Sequence, residues 1–114
     1  MKSKTKLIKL SGELDSSADY ASFYEFAVNY IHNMKNKKCL RTDVFFNDIL
    51  NICDPQNIEE NKIYLGISGE NVERIIEWRN KLEAQKSALI GLELDELQYV
   101  MGYCARLSKI AKMQ

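Results

Sequence analysis

The side chains that could do chemistry are few and scattered. The chain has one histidine, His32, and three cysteines, Cys39, Cys53 and Cys104. Zinc needs closely spaced Cys or His ligands, and no C-x-x-C pair or second histidine is present. His32 and Cys39, which could meet only across the end of one helix, read better as an ordinary helix-end histidine and a free thiol. A cysteine nucleophile would need His32 as its base and a third group to orient it. Cys104 falls on an apolar helix stripe, where a thiol is inert.

Acidic residues cluster at Glu59-Glu60 and around Glu93, Asp95 and Glu96. Acid–base catalysis needs a buried or coupled carboxyl in a cleft, and these read as solvated faces and helix starts. Gly66-Ile67-Ser68-Gly69 precedes a predicted helix, but no phosphate-binding or dinucleotide-binding glycine motif occurs. Glu70 and Glu73 would also repel an anion there. The sequence therefore predicts no enzyme, no metal and no cofactor.

Two patterns remain that fit binding. Phe26, Trp78, Tyr99 and Tyr103 fall outside the main apolar stripes of their helices, and exposed aromatics are typical interface anchors. Their alternative is simple burial between several helices. Separately, Lys35, Lys37, Lys38 and Arg41 fall in one loop, and Lys2, Lys4, Lys6 and Lys9 form a basic arm. These could meet phosphates, with Tyr24, Tyr30, Tyr64 or Tyr103 available to stack on bases. Against this, the net charge is +0, and lysine outnumbers arginine, whose fork carries most base readout. Charge is uneven along the chain. Residues 1–41 carry an excess of lysine, and residues 42–73 hold seven carboxylates against Lys62 alone. Such lopsidedness suits a charged partner or a second copy of the chain.

The elements that must position these residues are helical. The chain of 114 residues, 46% hydrophobic, reads as one helical domain over 1–114 with enough apolar side chains for its own core. Tyr20, Phe23, Tyr24, Ala27, Tyr30, Ile31 and Met34 recur at three- and four-residue steps, which predicts a helix over 17–35 capped by Ser16 or Ser17. A second helix is predicted over 43–53, capped by Thr42 and ended by Asp54-Pro55. That pair could also open a short helix.

A third helix is predicted over 70–89 after Ser68, supported by Glu70–Arg74 and Glu77–Lys81 pairs. A fourth runs over 96–112, opened by an Asp95–Gln98 capping box with Leu94 and Tyr99 as its hydrophobic staple. Gly102 in its middle costs about 1 kcal/mol against alanine, which suggests close approach of a neighbouring backbone or a bound group. Leu7–Leu10 and Ile63–Ile67 could pair as a minor sheet. The expectation is a mainly α bundle of about four principal helices.

No apolar run is long enough to span a membrane. Unpaired cysteines, two of them on apolar faces, suggest a reducing compartment and a cytoplasmic protein. The leading functional expectation is a non-catalytic interaction module, an adaptor, inhibitor or assembly subunit, that binds another protein through its aromatics. The alternative is a helical nucleic-acid-binding subunit that uses the lysine-rich loop and N-terminal arm. Homo-oligomerisation is compatible with either.

Overall fold

The computed structural model describes residues 3–65 and 71–114, and within them the side chains of all but Ile63 and Tyr64. Ser68, Glu70 and the Gly66–Gly69 loop lie outside the described residues, as do the expectations that rest on them.

The architecture is all helix among the described residues. In chain order come α1 (Lys4–Gly12), a 3-10 turn (Ala18–Tyr20), α2 (Ala21–Asn36), α3 (Thr42–Ile52), α4 (Ile58–Leu65), α5 (Val72–Ala84), α6 (Lys86–Leu89) and α7 (Leu94–Lys112). The mainly α expectation holds, but among the described residues seven α-helices replace the expected four. Three of the four survive as α2, α3 and α7. The long third helix breaks at Gln85, where the backbone leaves helical geometry. The break turns Leu89 and Leu92 into the core.

Neither predicted strand forms among the described residues. Leu7–Leu10 belongs to α1, where Ser3 Oγ accepts from the Lys6 amide and caps the first turn. Leu7 and Ser11 lie one turn apart and are both buried, so the relevant period is four and not two. Residues 63–65 continue α4. The Asp54 side chain accepts from the Gln56 amide, and its carbonyl accepts from Asn57 and Ile58. The Asp54-Pro55 pair thus ends α3 and turns the chain into the next helix.

The packing centres on α2 against α7, with α1 on another side of α7. The core gathers Tyr24, Ile31, Phe45, Phe46, Ile49, Ile75, Trp78, Leu82, Leu97, Met101 and Cys104. Trp78 meets Tyr24 edge-on, with ring centroids 5.6 Å apart and planes at 89°. Phe23 lies 5.9 Å from the same indole. Such pairs add about 0.5–1.5 kcal/mol beyond area burial.

Several caps differ from expectation. Thr42 is buried and belongs to α3, and its hydroxyl donates to the Leu92 carbonyl at 2.6 Å. It thereby ties α3 to the entry of α7. The capping box of α7 starts at Glu93, two residues early: its side chain accepts from the third helical amide while Glu96 accepts from the Glu93 amide. Ser17 makes no side-chain cap, and its hydroxyl donates to Asp15 instead.

Lys81 pairs with Asp15 rather than Glu77, and Arg74 pairs with Asp19. These ion pairs tie α5 to the segment that leads into α2. Lys81 and then Ser17 hold the Asp15 carboxyl below its ordinary range. The C-terminus of α2 closes as a Schellman motif. The Cys39 amide donates to Met34 O, the Lys38 amide donates to Lys35 O, and Lys38 takes φ 60°.

Candidate functional site

The expected aromatic face does not assemble as one surface. Trp78 is 1% exposed and sits in the core, which overturns its assignment as an exposed anchor. Its spacing explains this: Ile75, Trp78 and Leu82 are separated by three and four residues and bury one common stripe. Phe26 is half-buried on α2, with its ring 6.0 Å from that of Tyr30. Tyr30 in turn donates to Asp48 at 2.6 Å, so this pair helps join α2 to α3.

Tyr99 and Tyr103 are the two expected anchors that share a stripe. They lie one turn apart on α7 and are both half-buried. Tyr103 carries the Arg106 guanidinium over its ring, 5.6 Å from the centroid. That distance is within cation–π range.

Arg106 also lines an open groove of about 330 Å³ between α2 and α7, with Glu25, Val28, Asn29, Gly102, Ala105 and Lys109. The two helices run antiparallel here, since Lys109 pairs with Glu25 while Lys35 pairs with Asp95. Two small residues, Gly102 and Ala105, line the α7 side of the groove. A Cβ built on Gly102 would meet only Val28 Cγ2, at 4.0 Å. Among the described residues no neighbouring backbone presses on Gly102, so none of them supplies the close approach that was one of the two reasons expected for this glycine.

The four arginines are treated unequally. Arg41 meets Asp43 at 2.6 Å. Arg74 pairs with Asp19, and Arg79 meets Glu83 at 3.1 Å and donates to the Leu50 carbonyl at 2.9 Å. Arg106 alone among the described arginines has no carboxylate partner. The Tyr103 ring lies against it but takes none of its donors.

The lysine-rich loop is partly consumed by the fold. Lys35 pairs with Asp95 and donates to Gln98 at 3.1 Å, and Arg41 is held by Asp43. Lys37 and Lys38 are exposed beyond the end of α2. In the arm, Lys4, Lys6 and Lys9 are exposed on α1, and Lys2 lies outside the described residues.

Other hollows lie elsewhere on the surface. One of about 280 Å³ lies beside Leu40, Thr42 and Leu92. Another of about 250 Å³ is lined by Tyr30, Met34, Cys39 and Asp48.

Nothing in these hollows makes a catalytic set. His32 is exposed, and Cys39 is half-buried. Burial pushes the Cys53 thiol up to about 12 and the Cys104 thiol up to about 11, so both stay protonated near neutrality. Among the described residues, no group of three His, Cys, Asp or Glu side chains could hold a metal ion, and no helix is long and apolar enough to cross a membrane. No family model, curated protein or solved structure matches the chain.

Sequence reasoning missed Arg106. The signal was present in part, as Tyr103 and Arg106 lie three residues apart on a predicted helix. The groove itself depends on how α2 crosses α7, which no local pattern encodes.

Proposed function

We propose that this chain is a non-catalytic protein-interaction module, an adaptor, inhibitor or assembly subunit, whose binding face lies on α7 around Tyr99, Tyr103 and Arg106. The observation that carries this reading is the Tyr103–Arg106 stack at the edge of the α2–α7 groove. Tyr and Arg are enriched among residues that dominate binding energy, and each joins a large contact surface to a polar end. Here the two lie within cation–π range of each other at the edge of the groove. Gly102 supports the same reading. It lowers helix stability by about 1 kcal/mol without any packing need in the isolated chain, which fits a position kept open for a partner.

The test is a pulldown from host lysate with the wild type and a Tyr99→Ala/Tyr103→Ala variant, each with and without nuclease. The expected result is one stoichiometric protein that survives nuclease and is lost from the variant, while both chains stay folded by circular dichroism. Equal retention by the variant would remove the α7 face. Retained nucleic acid, or a partner lost with nuclease, would favour the lysine-rich loop and arm instead.

A further inference from the structure

We infer that the α2–α7 groove receives an acidic side chain of a partner protein, with its carboxylate held by Arg106. The inference rests on the interaction-module reading and names the chemistry of the partner.

Size sets the kind of occupant. At about 330 Å³ the groove lies at the small end of ligand pockets. It suits one or two anchor side chains from a larger docked surface. Gly102, Ala105 and Val28 are among its lining residues and offer contact to a short apolar stem.

Charge sets the head group. The ionised groups lining the groove are Glu25, Arg106 and Lys109. Glu25 and Lys109 neutralise each other, so Arg106 leaves the groove with one net positive charge. A guanidinium matches a carboxylate through two parallel N–H···O bonds, and the apolar side of this one is covered by the Tyr103 ring 5.6 Å away. Asn29 adds an amide on the α2 side. A nucleic-acid backbone is a poorer fit, because its affinity comes from many neutralised phosphates and the groove supplies one free cation beside a carboxylate.

The probe is a library of random 16-residue peptides selected by display against the full chain at physiological salt. The expected winners carry Asp or Glu, and replacing that residue by Asn or Gln in the peptide lowers affinity at least tenfold. Arg106→Ala in the protein causes a similar loss. The two changes together cost little more than either alone, as a direct pair requires. Gly102→Leu, which fills the groove from a position where a Cβ has room, also abolishes binding.

Peptides blocked by Gly102→Leu or Tyr103→Ala but indifferent to Arg106→Ala and to their own carboxylates would overturn this inference and leave the interaction face standing. Peptides that bind elsewhere, or no selected peptide at all, would overturn both.

Discussion

Replacing Gly102 by alanine should stabilise the isolated chain. A glycine inside a helix costs about 0.8–1.0 kcal/mol relative to alanine, because the unfolded chain loses more backbone freedom on folding. That gain is realised only if the new methyl fits. Here a Cβ would meet nothing closer than Val28 Cγ2 at 4.0 Å, an ordinary van der Waals contact, so no strain opposes the gain.

With an unfolding entropy of about 2.1 cal/mol/K per residue, a domain of this length has roughly 240 cal/mol/K in total. A gain of about 1 kcal/mol then raises Tm by about 4 °C. Thermal melts followed at 222 nm, with urea titrations at fixed pH, would measure this. An unchanged or lowered Tm would refute the reasoning, because it would mean that α2 and α7 pack more tightly at this point than described. A gain in stability accompanied by weaker partner binding would show that the glycine serves the complex rather than the fold.

Three further outcomes are expected. Trp78, the only tryptophan and 1% exposed, should emit at short wavelength in the native state and shift to the red on unfolding, and Trp78→Ala should cost about 3–5 kcal/mol; a native spectrum like that of free tryptophan would place the residue at the surface after all. Thiol titration at pH 8 should label Cys39 in the native protein and all three cysteines in denaturant, because burial keeps Cys53 and Cys104 protonated; rapid native labelling of all three would contradict the packing of α3 and α7. Lys38→Gly should add about 0.5–1 kcal/mol, since φ 60° strains a side-chain-bearing residue by about 1–2 kcal/mol and glycine's greater unfolded freedom offsets part of that; a loss of stability would mean that the lysine side chain matters more than its backbone geometry.

What was legible in the sequence follows the range of the physics involved. The stripe from Tyr20 to Met34 is a local pattern, and from Phe23 onward it returns as the buried side of α2 with only Tyr30 half-exposed, while Tyr20 is buried from the 3-10 turn before it. The free, buried state of Cys53 and Cys104 was legible for the same reason. Short segments misled. Lys6–Leu10 contains too few residues to separate a period of two from a period of four, and its contact with α7 decided the outcome. Ion pairing misled as well, because Lys81 has Glu77 nearby in sequence but Asp15 nearby in space. Trp78 was recoverable from its spacing to Ile75 and Leu82. The groove at Gly102 was not recoverable, since it exists only once Lys109 meets Glu25 and Lys35 meets Asp95 across the antiparallel pair.

The most direct test of the binding face is a photo-crosslinking amino acid placed at Ile110, exposed on α7 one turn beyond Arg106, with the same group at Lys38 as a comparison, illuminated in living host cells. The expected result is a discrete protein adduct from position 110 that is absent from position 38 and is lost when Arg106→Ala is added. Adducts from position 38 alone, or a nuclease-sensitive adduct at either position, would contradict it.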